Sequence, residues 1–466
     1  MQEKKYILFL LVATSIFMST LDSSMVNVAL PYMMHQLQTD IKTIQWVVLI
    51  YLITISSFLL SFGRLSDIKG RRYVYVLGFI IFTLGSLFCG VSQSAKALIV
   101  SRIVQGVGAS MLMACSPAII VDGFPEKERG RALGAVGAVV AAGLTIGPVA
   151  GGIILEYLSW HFLFLINIPI GVISAVLGVF ILNKEDKGTK EPMDKTGSLL
   201  IVIMLSSMIL FLSNLSSSGF FSISSFLLAG ISFAAFIGFK INESKVSYPL
   251  FDLRLLDIKL FVFPVISAII LFAALFVFIF IMPFYLKYPC GFSASKTGII
   301  MIGPFFFLLI VSPLSGILYD KFGSRLLCMT GMSFLLLSFV LLIFLDPSMP
   351  VFSILWRTAF AGIGIALFVS PNTTAIMNNV PISRRGVASA TLSMARNLGM
   401  VIGVALASLV FTSSFSSLTN GLSLESYSIG MENDFIKSFK LTIFAGAFIS
   451  FAGLFAVFAR GKEDKT

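Results

Sequence analysis

An aspartate inside an apolar stretch is the residue of this sequence with the clearest capacity for chemistry. Asp22 lies within the first hydrophobic segment, residues 6–33, and is the only acidic side chain well inside any such segment. A charge in lipid is costly, so such residues usually face a water-filled path or a partner. Burial favours the protonated carboxyl and a nearby cation favours the ionised form. Asp22 is therefore suited to bind and release a proton or a cation.

The segments that must position Asp22 are long and apolar. Mean hydropathy is +0.98, and only 12% of residues are charged. Runs of about 20 apolar residues can cross a bilayer, where the backbone must be helical. The sequence predicts an all-α polytopic membrane protein with 14 spans: 6–33, 44–66, 73–92, 97–122, 130–156, 161–182, 196–216, 220–240, 261–286, 296–319, 325–345, 351–377, 386–412 and 436–459.

Basic residues are distributed unevenly between the two sides of these spans. With the amino terminus placed in the cytoplasm, 24 Lys and Arg fall on the inner side, 6 on the outer side and three within spans. This asymmetry is the positive-inside rule. The net charge of +11 therefore sets topology and contacts anionic lipid, and we expect no nucleic-acid partner. An even number of spans places both termini in the cytoplasm. We expect a multi-pass protein of a bacterial cell (plasma) membrane.

The sequence repeats itself at an offset close to 253 residues. The matching landmarks are Pro31 and Pro283, Gly63–Arg72 and Gly316–Arg325, Arg102 and Arg357, and Arg129-Gly130 and Arg385-Gly386. Such a shift predicts two six-span halves of common design. We place the halves at residues 1–183 and 259–466. Residues 184–258 hold cytoplasmic linkers and an inserted pair of spans, which we expect at the periphery, against the seam between the halves.

Several motifs occur in a fixed order along the chain. They are Leu21-Asp22 to Pro31 in span 1, Gly63 to Arg72 after span 2, Arg102 to Gly108 in span 4, Gly143 to Gly152 in span 5, Asn167 to Gly171 in span 6 and Arg396 to Gly399 in span 13. Together they resemble the major facilitator superfamily, and within it the 14-span drug/proton antiporters. The resemblance implies the major facilitator fold, with substrate bound between the halves. It also marks the antiporter signature as Gly143, Gly147, Pro148, Gly151 and Gly152.

The loop after span 2 suggests a cytoplasmic gate. Asp67 lies beside Arg71 and Arg72, and a carboxylate there can cap a facing helix amino terminus. The resemblance implies that this helix is span 13, and that Asp320 does the same to span 5. The alternative is a solvated basic loop that only sets topology. The predicted gate comprises Gly63, Asp67, Arg71, Arg72, Asp320, Arg325, Arg129 and Arg385.

Arg102 is the cation best placed to meet Asp22. Their depths in the membrane differ by about 9 Å at 1.5 Å per helical residue, within reach of a long side chain. Arg102 could pair with Asp22 or hold the backbone of span 1. Its approach to Asp22 would favour the ionised carboxylate and release the proton. The alternative is an arginine that extends to the outer interface. Arg357 and Arg396 are the other charges within spans.

The second half has no counterpart of Asp22. The matching position is Ala274 or Leu275, in a phenylalanine-rich run. We therefore expect charge from the first half and aromatic surface from the second. The predicted substrate cavity contains Asp22, Asn27, Phe272 and Phe276. Aromatic surface with one carboxylate suits lipophilic, often cationic, molecules.

These features predict a proton-coupled exporter of amphipathic, drug-like compounds that works by alternating access as a monomer. Its partners are a small-molecule substrate, protons and the lipid bilayer, with no cofactor or metal beyond the proton gradient. One alternative is an exporter or flippase dedicated to one lipid or metabolite, and another is a receptor that retains the fold. An enzyme is not expected, because the sequence has no nucleophile triad, carboxylate pair, metal-ligand set or nucleotide loop.

Overall fold

The computed structural model describes residues 2–182, 193–218, 222–247, 250–251, 253–381, 384–428 and 430–461. These residues form α-helices joined by short turns, with no strand among them. The helices are α1 Gln2–Gln36, α2 Ile41–Ile44, α3 Trp46–Lys69, α4 Arg71–Gly90, α5 Ala95–Gly123, α6 Glu126–Tyr157, α7 Phe162–Leu165, α8 Asn167–Ile181, α9 Lys195–Ser218, α10 Ile223–Lys245, α11 Lys259–Lys287, α12 Ala294–Ile300, α13 Gly303–Ile343, α14 Val351–Asn378, α15 Arg385–Leu418 and α16 Glu432–Ala459.

Thirteen helices within the described residues are long and apolar enough to cross a bilayer. One of these, Ala294–Ile343, has 50 residues, more than twice what one crossing needs. Its helical course is broken at Gly323, with φ 74° and ψ 168°. The two parts coincide with predicted spans 10 and 11. Counted separately they give fourteen apolar segments, while the number of crossings stays a prediction.

The break at Gly323 has a partner in the other half of the chain. Gly70, with φ 90° and ψ 139°, separates α3 from α4. The two glycines are 253 residues apart, the offset of the sequence repeat. α5 packs on α3 and α4, and α14 packs in the same way on α13. The two-half design predicted from the motifs is therefore confirmed in the backbone.

A substitution at Gly323 tests how strictly this turn depends on glycine. Positive φ with extended ψ is a region that essentially only glycine occupies, and strain there costs of order 1–3 kcal/mol. We expect Gly323→Ala to lower the melting temperature of the purified protein. Gly316→Ala is the matched control, because Gly316 is helical and an added methyl meets only Ser370 Oγ, at 3.8 Å. Equal melting temperatures for the two variants would show that the turn at Gly323 does not require glycine.

The inserted helices lie where the two halves meet. α9 packs against α3 of the first half and against α15 of the second, whereas α10 packs mainly on α9. Large apolar side chains of α10 are exposed, including Phe226 and Phe233. This agrees with the expected position at the seam and with a lipid-facing surface on α10. The linker residues 184–192 lie outside the described part of the chain.

The halves touch at the end of the bundle remote from the chain termini. We call this end the far face, and the end with the start of α1 and the end of α16 the terminal face. At the far face Lys287 Nζ donates to Pro31 O at 3.1 Å and lies 3.9 Å from the ring centroid of Tyr32. Ser295 N donates to Glu156 Oε2 at 3.1 Å. Polar contacts thus tie α1 to α11 and α6 to α12.

Candidate functional site

Asp22 is completely buried, at 0% exposure, in the wall of the first half. Its Oδ2 accepts a hydrogen bond from Arg102 Nη1 at 2.5 Å. Its Oδ1 accepts from Gln105 Nε2 at 2.9 Å and from Asn167 Nδ2 at 3.2 Å. α1, α5 and α8 each contribute to this group, which we call the Asp22 cluster: Asp22, Arg102, Gln105 and Asn167. Three donors thus occupy both oxygens of one carboxylate, and the contact with Arg102 is charge-assisted.

Arg102 is held as firmly as the aspartate. It is 1% exposed, its Nε donates to Val47 O at 3.0 Å, and its Nη1 also donates to Gln105 Oε1 at 2.6 Å. The guanidinium lies 3.9 Å from the ring centroid of Tyr51, within cation–π range. The ion pair that the sequence left open is therefore formed, and Arg102 does not extend to the interface.

Sequence reasoning missed the amide members of this cluster. Gln105 is one helical turn after Arg102 in the span 4 motif, and its Nε2 also donates to Ser86 Oγ at 3.0 Å. Asn167 opens the span 6 motif. Both positions stood within quoted motifs, which was the available signal. Their common partner could not be read from spacing, because it depends on how α5 and α8 pack around α1.

The glycines of the antiporter motif bring α6 against the turn of α1 that carries Asp22. Ser24 Oγ donates to Gly143 O at 3.1 Å. A methyl group at Gly147 would collide with Ser24, and one at Gly151 would lie 3.2 Å from Met25 Cα. These three glycines thus pack within the first half. Among the glycines of the motif, Gly152 is the one that lies against the second half.

Gly152 is the last residue of the antiporter motif and lies at the far face. A Cβ there would lie 2.6 Å from the carbonyl oxygen of Ala294, in α12 of the second half. Toward the terminal face, Gly134 and Gly137 of the same helix have open space where a Cβ would stand. In the described conformation α6 therefore contacts the second half at the far face, whereas no atom lies within 4 Å of the Cβ positions of Gly134 and Gly137.

The remaining predicted cavity residues are also covered in this conformation. Asn27, Phe272 and Phe276 are buried. Asn27 Nδ2 donates to Ser23 O at 2.8 Å, and its Oδ1 has no hydrogen-bond partner among the described residues. A substrate role for these side chains stays a prediction.

The predicted gate residues are spread over the terminal face. Asp67 and Asp320 are exposed. Arg71 forms an ion pair with Asp122, and Arg129 Nε donates to Phe124 O at 3.2 Å. Of the other predicted members, Gly63 has open space around it and Arg325 lies over the ring of Phe458, while Arg72 is partly buried. The side chain of Arg385 lies outside the described part. The gate stays a prediction for the conformation closed at this face.

The two other arginines within spans have different surroundings. Arg357 is near the far end of α14, where Nε donates to Leu341 O at 3.1 Å and Nη1 donates to Ser353 O at 2.7 Å. Arg396, in α15, is half-buried, and its Nη2 donates to Thr373 Oγ1 at 2.9 Å. Arg357 is thus held by backbone carbonyls, whereas Arg396 keeps part of its guanidinium open.

Relatives of this chain are membrane transporters. The riboflavin transporter RibZ of Clostridioides difficile is 32% identical over 466 residues, covering 100% of this chain and 99% of the relative. The multidrug resistance protein Stp of Mycobacterium tuberculosis is 30% identical over 405 residues, covering 86% and 75%. The multidrug resistance protein 3 of Bacillus subtilis is 29% identical over 412 residues, covering 87% and 79%.

Solved structures and a family model agree with these relatives. A bacterial homologue of the human lysosomal transporter Spinster, inward-facing and unoccupied, superposes with a TM-score of 0.69 at 16% identity, covering 100% of both chains. The family model of the Major Facilitator Superfamily matches residues 12–251 and 264–465. With two packed helical halves and a buried carboxylate cluster, the chain belongs to the major facilitator superfamily and is a multi-pass transporter of the cell membrane, not an enzyme.

Proposed function

We propose that this protein is a proton-coupled antiporter that exports amphipathic compounds by alternating access, with its terminal face in the cytoplasm. The observation that carries the proposal is the Asp22 cluster. A carboxylate with 0% exposure that is neutralised by one arginine can exchange a proton only when its surroundings change. Intramembrane carboxylates of this kind mark proton pathways in transporters.

The packing of α6 suggests how such a change reaches Asp22. At one end α6 contacts α12 of the second half through Gly152, and further along it contacts the turn of α1 beside Asp22 through Gly147. Rotation of the halves would move α6 relative to α12, and the close glycine contact transmits that movement to α1. Arg102 keeps its bond to Val47 O, so a shift of α1 would separate the ion pair and let Asp22 accept a proton.

The substrate class has two candidates. Multidrug relatives at 30% and 29% identity support a range of lipophilic compounds. A dedicated transporter of one metabolite is supported by the 32% identical relative that matches the whole chain and is named for riboflavin. The substrates of both kinds of transporter would be aromatic or amphipathic small molecules. Phenylalanine side chains such as those of the predicted cavity suit such molecules.

Reconstituted transport tests the proposal. Proteoliposomes with an imposed pH gradient should drive uphill movement of at least one compound from a panel of dyes, antibiotics, flavins and lipids. Collapse of the gradient with a protonophore should stop that movement, because the proton gradient is its energy source. Uphill transport that persists without the gradient, or transport that only equilibrates every compound, would contradict proton coupling.

The gate makes a separate prediction for Asp67. If Asp67 caps the start of α15 when the cytoplasmic side closes, Asp67→Ala should favour the open conformation. Cysteines engineered on the cytoplasmic side of α6 should then be labelled faster, and turnover should fall. Cys290 is the only one of the four native cysteines that is not buried, so a Cys290→Ser background removes competing reaction. Asp257→Ala, at another exposed aspartate, is the control. Unchanged labelling and turnover would leave the loop with a topological role only.

A further inference from the structure

Resting on the proposed transport function, we propose that Arg396 binds the negatively charged group of the substrate, which makes the substrate an amphipathic organic anion. The observation behind this assignment is a half-buried arginine about one third of the way along α15, with one hydrogen bond and no carboxylate partner among the described residues. A negatively charged substrate is the opposite of the cationic substrate that Asp22 led us to expect.

The position of Arg396 along α15 disfavours a lipid-facing side chain. It is eleven residues after the start of α15 at Arg385, which places it about 16 Å along the helix axis. The apolar span Gly386–Leu418 contains this position, so Arg396 lies inside the membrane-spanning part of α15. An arginine exposed to lipid at that depth is strongly disfavoured. The open part of the guanidinium must therefore face a water-filled space inside the protein.

The residues around Arg396 belong to helices of the second half. Gly399 and Gly403, on the same side of α15, pack against the backbone of α11 at Ile269 and Ala273. Thr373 of α14 accepts the Arg396 hydrogen bond. The guanidinium lies 5.9 Å from the ring centroid of Phe272. Arg396 is thus enclosed by α11, α14 and α15, with an aromatic ring beside it.

Among the described residues, no carboxylate pairs with Arg396. Asp22 is the only acidic residue well inside a span, and its two oxygens are already occupied by Arg102, Gln105 and Asn167. Arg357 of α14, the counterpart of Arg102 in the sequence repeat, is held by backbone carbonyls instead. Apart from Nη2, the guanidinium nitrogens of Arg396 therefore have no hydrogen-bond partner among the described residues. The sequence-based expectation of a cationic substrate relied on a carboxylate that the structure shows to be paired.

The chemistry of an arginine beside a phenylalanine fixes the ligand class. A guanidinium has five N–H donors in a planar fork that matches carboxylate, sulfonate or phosphate oxygens. A neutral or cationic occupant would remove water from the guanidinium without replacing its hydrogen bonds, which costs free energy. An anionic head on an aromatic or aliphatic body satisfies both Arg396 and the apolar wall at Phe272.

Binding of three probes with one apolar body tests the assignment without a proton gradient. Pyrenebutyrate, pyrenebutanol and pyrenebutylamine are measured by equilibrium dialysis against full-length protein in nanodiscs, with empty nanodiscs subtracted. The wild type should bind the anion at least about tenfold more tightly than the alcohol, since a charge-assisted pair replaces a neutral contact. Arg396→Gln should remove this preference, and Arg396→Lys should keep part of it. Arg357→Gln, the same change at the other arginine, should leave it intact.

The assignment would be overturned by a wild type that binds the amine most tightly, shows no anion preference or gives no saturable binding. It would equally be overturned by an anion preference that survives in Arg396→Gln. If that variant does not fold, the wild-type comparison and Arg396→Lys still decide. Because the assay has no gradient, failure of proton coupling at Asp22 would leave its result unchanged, and loss of the anion preference would leave the coupling test unchanged.

Discussion

Asp22→Asn should reduce pH-driven uphill transport to the background of empty liposomes. Asparagine keeps the size of the side chain and an oxygen that can accept from Arg102, but it cannot bind and release a proton. The coupling step is lost while the binding surface remains. Substrate counterflow, which needs no net proton movement, should stay measurable. The expected pattern is therefore loss of gradient-driven accumulation with exchange retained.

Two controls make this result specific. Asp257→Asn applies the same change to an exposed aspartate outside the spans and should transport like the wild type. Size-exclusion profiles and melting temperatures should show that Asp22→Asn is folded, because the change removes a buried charge. Gradient-driven accumulation by Asp22→Asn at the wild-type level would mean that the coupling proton is bound elsewhere.

Arg102→Gln should be the most destabilising single change of the Asp22 cluster. It leaves an ionised carboxylate at 0% exposure without its cation. Breaking a buried ion pair on one side typically costs about 3–5 kcal/mol, since the remaining charge stays buried and uncompensated. We expect a clearly lower melting temperature at neutral pH and no gradient-driven transport.

A double variant separates charge from packing in this prediction. Asp22→Asn combined with Arg102→Gln has no buried charge, so it should be more stable at neutral pH than Arg102→Gln alone. The non-additivity is the coupling free energy of the pair. Additive effects of the two changes would show that Arg102 acts by packing against Tyr51 and Val47 alone.

The sequence was sufficient for the features that repeat or that depend on depth. The 253-residue offset predicted the two halves because Gly70 and Gly323 occupy equivalent positions with backbone angles that require glycine. The contact between Asp22 and Arg102 was one of the alternatives that the sequence left open, because charges in apolar helices have few partners. Depth along a helix is simple arithmetic at 1.5 Å per residue.

Features set by helix rotation were not accessible in this way. Gln105 and Asn167 are uncharged amides whose partner depends on how α5 and α8 face α1. The glycines of α6 could pack on either half, and their contacts with Thr20, Ser24 and Met25 follow from tertiary packing. No role could be predicted for Arg396 from the sequence. Its lack of a carboxylate partner became visible only because the structure pairs both oxygens of Asp22 with other side chains.

Proton release on substrate binding tests the central claim most directly. The purified protein is placed in weakly buffered detergent solution with a pH indicator, and a compound identified by the proteoliposome screen is added. If protonated Asp22 exchanges its proton for substrate, the wild type should release protons on binding, up to about one per protein. Asp22→Asn should bind the same compound and release none. Equal release by wild type and Asp22→Asn, or substrate binding by the wild type without release at any pH, would contradict the account.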